Sequence, residues 1–328
     1  MMATRLRQAA RLLFCCFVLA GASAAFAQSG YPNRPVTIVV GFSAGGTTDI
    51  ITRLISDELR KALGQPVIIE NKPGAGGNIG ADIVAKSPPD GYTLVTGSIG
   101  THAVNVSLFS KLPYDPIRDF APVSLIMEAE GLLVVHPSLP VKSVKELIAL
   151  AKARPGQIAY ASAGHGTAAH LSGELFKSMA KVNLLHVPYK GNVPAITDLL
   201  AGQTSLLFAT MPTVLPQVQA GRLRALAVTS SSRSPAAPEL PTIAEAALPG
   251  FSVTNWIGFF APAGTPREVV LKLNGEVARI MQAPDIQKRL LAEGAKFTPW
   301  TPDQFAAFVK AEMAKWAKVV KDAGIRVD

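Results

Sequence analysis

Cysteine is nearly absent from the chain: Cys15 and Cys16 are the only two among 328 residues. Both lie within the first 27 residues, which we expect to be removed from the mature protein. A mature chain without cysteine can form no disulfide and has no thiolate for catalysis or metal binding. Phe14 precedes Cys15, where a lipid-attachment site would have a small residue, so we do not expect a lipid anchor.

Long hydrophobic runs are also missing, and the one short run near the start has the setting of a secretory signal peptide. The apolar stretch 12–20 has nine residues, too few to span a bilayer, and Ala25-Phe26-Ala27 forms an A-x-A cleavage site after it. The basic residues that precede the stretch are Arg5, Arg7 and Arg11. The sequence therefore predicts cleavage after Ala27, export to the bacterial periplasm, and a mature chain of 301 residues, 328 less the first 27.

Aromatic residues make up only 7% of the chain, and the positive charge is scattered. Without the three leader arginines, the formal charge of +9 falls to +6. The densest basic set lies on one side of a helix predicted over 302–323: Lys310, Lys315, Lys318 and Lys321. A nucleic-acid surface would need aromatic residues interleaved with such lysines, so we expect no nucleic-acid partner. The mild excess of positive charge favours small anionic ligands.

A β-branched run near the start of the mature chain ends in a glycine-rich turn and then a helix. The predicted strand is 36–42, the turn contains Gly41, Gly45 and Gly46, and the helix is 48–63. Free N–H groups and the macrodipole at such a helix start can hold an anion. The same letters, Gly41 to Gly45, also match the G-x-S-x-G nucleophile elbow of serine hydrolases.

The pattern of strands and helices predicts an α/β protein with two doubly wound lobes. Strands at 36–42, 67–70 and 92–96 alternate with helices, and near-continuous apolar strands in this order indicate a parallel sheet. A second strand, glycine turn and helix follows at 158–179, with further α/β units after it. We expect a first lobe at 28–128, a second at 129–251, and a return segment, 252–328, that packs mainly on the first lobe.

A serine hydrolase using Ser43 is the alternative function. Its motif has the right local setting, but Ser43 is only the sixteenth mature residue, before a sheet could be built around it. The histidine of such a triad follows late in the chain, and none of the five histidines lies in the last third. The paired glycines 45 and 46 better suit close approach of a ligand to the backbone.

Two cofactor sites are weaker alternatives. Residues 75–80 only loosely resemble G-x-G-x-x-G and lack the acidic residue about 20 positions on. His165 and His170 could suggest a metal, but only Glu174, four residues after His170, stands at ligand spacing. We therefore predict no cofactor and no metal.

Several polar residues near the predicted turns have two interpretations. Asp49 either complements the helix dipole or pairs with a ligand ammonium group. Four hydroxyl residues either cap helices or donate to ligand oxygens: Ser98, Thr101, Ser162 and Thr167. No arginine lies in these loops, so backbone N–H groups and hydroxyls would hold an anion. This favours a mono- or dicarboxylate over a tricarboxylate.

Seven motifs together resemble the tripartite tricarboxylate transporter substrate-binding proteins, also called the Bordetella uptake gene family. They are Tyr31-Pro with the run 35–40, Phe42-Ser-Ala-Gly-Gly-Thr-Thr-Asp49, the run 67–77, Ala161-Ser-Ala-Gly-His-Gly-Thr-Ala-Ala-His-Leu171, His186-Val-Pro-Tyr-Lys-Gly191, the run 224–229 and the run 256–266. The resemblance covers essentially all of 31–328. It implies a type II periplasmic-binding-protein-like fold, in which two lobes close on a ligand like a flytrap.

The resemblance also implies a site between the two glycine-rich loops. The residues expected to contact the ligand are Phe42, Ser43, Ala44, Gly45, Gly46, Thr47, Asp49, Ser98, Thr101, Ser162, Ala163, Gly164, Gly166, Thr167 and Tyr189. Family members bind small organic acids or amino acids and are not enzymes. Some deliver to a two-component membrane permease, which is therefore a candidate partner. We expect a monomer.

Overall fold

The computed structural model describes residues 30–292, 294–322 and 324–325. The predicted signal peptide and its cleavage site after Ala27 lie outside the described residues. Within those ranges no helix is both long and apolar enough to cross a bilayer. The chain forms two mixed sheets with helices on both faces of each, as the α/β prediction required.

The strands are short and their spacing follows the predicted α/β order. They are β1 (Val36–Val40), β2 (Val67–Asn71), β3 (Thr93–Ser98), β4 (Phe120–Ala129), β5 (Gly131–Val135), β6 (Ala159–Ser162), β7 (Leu185–Pro188), β8 (Leu206–Thr210), β9 (Arg224–Val228), β10 (Asn255–Pro262) and β11 (Ala295–Lys296).

The helices fill the crossovers and the C-terminal tail. They are α1 (Thr47–Leu63), α2 (Asn78–Ala85), α3 (Asn105–Leu108), α4 (Val144–Ala153), α5 (Ala168–Ala180), α6 (Asn192–Leu200), α7 (Met211–Gln219), α8 (Ile243–Ala246), α9 (Arg267–Met281), α10 (Pro284–Ala292) and α11 (Pro302–Asp322). A short 3₁₀ turn, Ala75–Gly77, precedes α2, and a wide helical turn, Gly100–Val104, precedes α3.

The two sheets repeat one topology. The first has the order β11-β4-β10-β3-β1-β2 and the second the order β7-β6-β8-β5-β9. In each sheet three neighbouring strands are parallel: β3, β1 and β2 in the first, and β7, β6 and β8 in the second. One antiparallel strand, β10 or β5, lies beside them. Beyond it lies the strand from which the chain leaves the lobe, β4 or β9. The parallel arrangement predicted for the first three strands is confirmed. The antiparallel direction of β5, of β10 and of the short edge strand β11 was not predicted. Strands β5 and β10 are the first that the chain forms after crossing from the other lobe.

Alternation along the strands explains the two layers of helices. In β1, Val36 and Ile38 pack with α1 and α9, whereas Val39 packs with α2 on the opposite face. In α1, Ile51, Ile55 and Leu59 are buried, as their spacing predicts. Ile50 lies off this buried face and is exposed.

The C-terminal tail packs against the first sheet. Asn274 of α9 donates to the Val123 carbonyl of β4 at 2.9 Å. In α11 the buried carboxylate of Glu312 accepts from two indoles, Trp256 Nε1 at 3.2 Å and Trp316 Nε1 at 3.0 Å. A buried carboxylate is tolerated when it has such donors, so this network fixes the last helix onto β10.

Thr229 ties together the two places where the chain crosses between lobes. Its hydroxyl accepts from the Gly131 N–H at 3.1 Å and donates to the Val253 carbonyl at 2.7 Å. Its backbone N–H donates to Gly131 O, and the Val253 N–H donates to Thr229 O. Gly131 follows one crossing and Val253 precedes the other, so one buried side chain holds both connections at a fixed separation.

Replacing Thr229 by valine keeps the shape of the side chain and leaves the Gly131 N–H and the Val253 carbonyl without that hydroxyl partner. We expect T229V to lower the free energy of unfolding by about 1–3 kcal/mol, the usual cost of leaving a buried polar group unpaired. Urea unfolding followed by circular dichroism measures it. The matched control is T197V, because the exposed Thr197 bonds only to the carbonyl one helical turn before it, and we expect a change within about 0.5 kcal/mol. Equal stability of T229V and the unmodified protein would contradict this role.

Candidate functional site

A cavity of about 60 Å³ lies between the lobes, at the carboxyl ends of the parallel strands of both sheets. Ligands of open α/β sheets bind at this edge. One water needs about 10–15 Å³ of such space, so the cavity admits the equivalent of about four to six waters. The site is therefore suited to a small molecule held between the lobes.

The first lobe contributes the start of α1 to the cavity wall. Gly46, Thr47 and Thr48 line the cavity, and Gly46 is the residue before the helix, with no side chain capping it. The N–H groups of a helix's first turn have no partner within the helix. Phe42 supplies an apolar surface beside them, and Ser98, at the end of β3, supplies a hydroxyl.

The second lobe contributes three more helix starts. Thr167, Ala168 and Ala169 line the cavity at the start of α5. Asn192 is the first residue of α6, and Thr210 directly precedes α7. Neither α6 nor α7 has a side chain that caps its first turn.

Thr167 shows which of its two predicted roles the geometry supports. Its hydroxyl accepts from the His170 N–H at 3.4 Å and donates to the Gly164 carbonyl at 2.7 Å. It therefore caps α5 and closes the preceding turn, while the side chain still borders the cavity.

Among the described residues, no charged side chain lines the cavity. Its polar groups are hydroxyls, one amide from each of Asn192 and Asn255, and backbone N–H groups at the starts of α1, α5 and α6. At the start of α7 the Met211 N–H donates to the Glu130 carbonyl and Pro212 has no N–H, so this helix contributes its dipole. Each helix start carries about half a positive charge, so their sum favours an anion without any cationic side chain. An ammonium group would meet no carboxylate from this lining.

The lobes touch each other around the cavity, so the structure is a closed form. Thr47 Oγ1 of the first lobe lies 2.7 Å from Thr210 Oγ1 of the second, and Asn192 Nδ2 of the second lobe donates to Thr47 Oγ1 at 3.4 Å. At the rim, the Ser43 N–H donates to the Lys190 carbonyl at 3.3 Å.

Glycines permit this close approach. A Cβ on Gly100 would lie 2.8 Å from the Gly166 carbonyl oxygen of the other lobe, and one on Gly76 would lie 2.1 Å from the His165 carbonyl oxygen. Real Cβ atoms essentially never come so near, so side chains at these positions would hold the lobes apart. The glycines of these loops thus permit the closed form.

Asp49 supports the loop before α1. Its carboxylate accepts from the Gly45 N–H at 2.9 Å, from Arg53 Nε at 2.9 Å and from Asn71 Nδ2 at 3.0 Å. Burial alone would raise the pKa of Asp49, but the hydrogen bonds from Arg53, Gly45 and Asn71 hold it below its usual value. With all these partners, and with no place in the cavity wall, Asp49 fits the helix-start role and not that of a ligand counter-charge.

Ser43 does not have the surroundings of a nucleophile. Its Oγ is buried and has no hydrogen-bond partner within the described ranges. The histidines there are engaged elsewhere: His102 with Thr101 and His136 with Ser138, while the other three cluster behind β6. Ala44 and Gly45, beside Ser43, are exposed at the cleft rim.

Ser98 and Thr101, which had the same two interpretations from sequence, differ in the structure. Thr101 Oγ1 accepts from the Ser98 N–H at 3.0 Å and lies 2.8 Å from His102 Nδ1, so it closes the loop after β3. Burial lowers the pKa of His102 to about 3, and this neutral ring stacks on Phe260 in the core. Ser98 Oγ has no protein partner in the described part of the chain and borders the cavity.

The remaining predicted residues of the second lobe divide in the same way. Ala163 lines the cavity. Ser162, Gly164 and Gly166 lie behind it, where Ser162 Oγ accepts from the Gly164 N–H at 3.1 Å. Tyr189 points away from it and donates to Asp198 at 2.7 Å, and burial together with this carboxylate raises the pKa of Tyr189 to about 12.

Part of the wall was not predicted from the sequence. Thr210 is the last residue of β8 and Thr229 directly follows β9, so the rule that ligands meet the carboxyl ends of strands could have found them. Asn192 opens a helix after Gly191, the same signal that marked α1. Phe208 and Asn255 have no such signal, because their position depends on how the two lobes dock.

A second cavity, of about 370 Å³, lies on the other side of the crossings. It is lined by carboxylates, Glu128 and Glu130, together with Arg233 and Lys296. Burial raises the pKa of Glu130, whose Oε2 has no partner in the described segments. Two carboxylates disfavour an anionic ligand, and among the described residues no uncapped helix start lines this space as in the first cavity.

Comparison with known proteins places the chain in one family. Residues 51–325 match the family described as tripartite tricarboxylate transporter family receptor. Protein BugT of Bordetella pertussis is 40% identical over 309 residues, covering 94% of this chain and 95% of BugT.

Two solved structures are similar over their whole length. R. palustris Rpa4515 with adipate is 43% identical with a TM-score of 0.88, covering 90% of this chain and 100% of that one. MatC from Rhodopseudomonas palustris with bound malate is 39% identical with a TM-score of 0.86, covering 88% of this chain and 100% of that one. With its two lobes, its cleft lined by helix starts and these relatives, the chain belongs to the tripartite tricarboxylate transporter receptor family, which includes the Bug proteins.

Proposed function

We propose that the protein captures a small mono- or dicarboxylate in the interlobe cleft and presents it to a membrane transporter. One observation carries this proposal: four helix starts converge on a cavity that no charged side chain of the described residues lines. Such a site compensates a carboxylate with backbone N–H groups and hydroxyls. Adipate and malate in the two similar structures support a dicarboxylate.

A dicarboxylate is favoured over an amino acid by the same lining. An amino acid would bring its ammonium group into a cavity whose described lining has no acidic residue, and Asp49 already accepts three hydrogen bonds outside it. A tricarboxylate would concentrate three negative charges where the lining offers no guanidinium to pair with them.

We infer that the protein acts in the periplasm as a monomer after cleavage behind Ala27, and that a two-component permease receives the ligand. The rigid bodies are a lobe of residues 28–128 with the return segment 252–328, and a lobe of residues 129–251. Bending at the two crossings beside Thr229 opens and closes the cleft.

A dicarboxylate at a hundredfold its dissociation constant should stabilise the mature protein by about 2.7 kcal/mol, seen as a raised unfolding midpoint. The screen uses adipate and malate first and then a library of mono- and dicarboxylates. The matched controls are uncharged diols of equal chain length, which offer no carboxylate to the helix starts and should not shift the midpoint. Stabilisation by the diols alone, or by no carboxylate, would overturn the proposal.

Closure can be tested with G100A. The added Cβ meets the Gly166 carbonyl only when the lobes are shut, and Gly100 does not have a positive φ, so the open form is unstrained. We expect the affinity for the carboxylate found in the screen to fall about tenfold or more, about 1.4 kcal/mol. Small-angle scattering should then show less compaction on adding that ligand.

The matched control for G100A is G275A. Gly275 lies inside α9, and a Cβ there meets nothing within 4 Å. We expect unchanged affinity and stability raised by about 0.5–1 kcal/mol, because alanine is the better helix former. Full affinity and full compaction in G100A would show that binding does not need this closed form.

A further inference from the structure

Three histidines from separate segments come together behind the cavity, in the second lobe. His165 lies in the turn after β6, His170 in the first turn of α5, and His186 in β7. Each histidine offers one ring nitrogen, and these three nitrogens all lie within 4.8 Å of one another. The parallel pairing of β6 and β7 sets Tyr160 opposite His186, so the sheet register brings the third histidine to the other two.

The spacing of the rings suits a metal centre. Ring centroids are 4.5 Å apart for His170 and His186, 4.9 Å for His165 and His186, and 5.2 Å for His165 and His170. In a tetrahedral site with metal–nitrogen bonds of about 2.0–2.1 Å, the centroids of two ligating imidazoles lie about 5.2 Å apart. Binding therefore needs the rings to turn, so that their nitrogens converge, with little change in ring separation.

His165 Nδ1 is the second observation that points to a ligand. The atom is buried and has no hydrogen-bond partner in the described ranges. Buried polar atoms almost always have a partner, and a bound ion is one common reason for an exception.

His186 has the support that metal-binding histidines usually have. Its Nε2 lies 2.7 Å from Ser162 Oγ. When Nε2 donates to that oxygen, Nδ1 keeps its lone pair for a metal, and the hydrogen bond fixes the ring orientation. Glu174, on the next turn of α5 after His170, is already paired with Lys177, whose Nζ donates to its two carboxylate oxygens at 2.8 and 2.9 Å, so the site depends on the three imidazoles.

We propose that His165, His170 and His186 form a binding site for a divalent transition metal of the zinc class, with water completing the coordination. Imidazole ligands suit Zn²⁺, Ni²⁺ and Cu²⁺ and disfavour Mg²⁺ and Ca²⁺, which take oxygen ligands. No metal was predicted from the sequence, because spacing along the chain brought only His165, His170 and Glu174 into consideration. His186 comes from a neighbouring strand, and such spacing does not reveal it.

Metal binding would reach the cleft loop through His170. Its Nδ1 accepts from the Gly166 N–H at 3.2 Å, a long bond that a metal on this nitrogen would replace. Gly166 belongs to the turn whose carbonyl contacts Gly100 in the closed form. The site is thus placed to alter closure as well as the stability of the second lobe.

Isothermal titration of metal-free, untagged mature protein with Zn²⁺ tests the proposal, and Co²⁺ provides a visible d–d spectrum for a tetrahedral site. We expect one equivalent bound, with the Zn²⁺ affinity of H165Q and H186Q lowered about tenfold or more. Glutamine at 186 retains a donor for Ser162, and circular dichroism confirms that each variant is folded. Lack of Zn²⁺ binding by the unmodified protein would overturn the proposal.

The matched control is H136Q, because His136 pairs with Ser138 outside the cluster. We expect its Zn²⁺ binding to equal that of the unmodified protein. Equal loss in H136Q and H165Q, or none in H165Q and H186Q, would assign the metal to another place and overturn the proposal. Carboxylate binding, measured separately in chelator without Zn²⁺, remains a test of the proposed function alone.

Discussion

Peptide N–H groups at the start of a helix have no partner within it, and four such starts face one cavity in this protein. Much of the architecture follows from that constraint. The parallel strands of both lobes must end toward each other, so that each crossover helix begins at the cleft. The cavity needs no arginine, and none of its described lining side chains is charged. Thr167 shows how little capping is present, because α5 alone among these helices has a side-chain cap at its start.

Closure depends on the same loops, because the backbones of the two lobes come into contact when the helix starts approach each other. Gly100 and Gly166 meet across the cleft with no room for a side chain between them, and so do Gly76 and the His165 carbonyl. On the far side of the cavity, Thr229 bonds to Gly131 and Val253 and keeps the two crossings adjacent. In the proposed opening and closing of the cleft, these two adjacent crossings are the hinge. The ligand shifts the balance toward closure because only the closed form presents both sets of helix starts to it.

Sequence patterns predicted the features that depend on residues close together in the chain. The run before Gly41, the periodicity of α1 and the repeat at 158–179 follow from strand and helix physics, and each was found. The antiparallel direction of β5 and β10 was not found, because it is set by the crossings. Helix α7 was missed because Pro212 and Pro216 resemble breaks, although proline at the first positions of a helix is well tolerated. Thr101 and Ser98 could not be told apart, since only the loop geometry decides which hydroxyl turns inward to His102 and which borders the cavity.

The turn at 162–167 joins two chemical environments that the sequence presents as one motif. On its cleft side it leads into Thr167 and α5, whose first residues border the cavity. On its other side Ser162 and Gly166 bond to His186 and His170. Ser162 thus holds the turn to the histidine cluster, which explains why a residue expected at the ligand lies behind the wall. Gly166 donates its N–H to His170 and sets its carbonyl against Gly100, so one residue contacts both the histidine cluster and the opposite lobe.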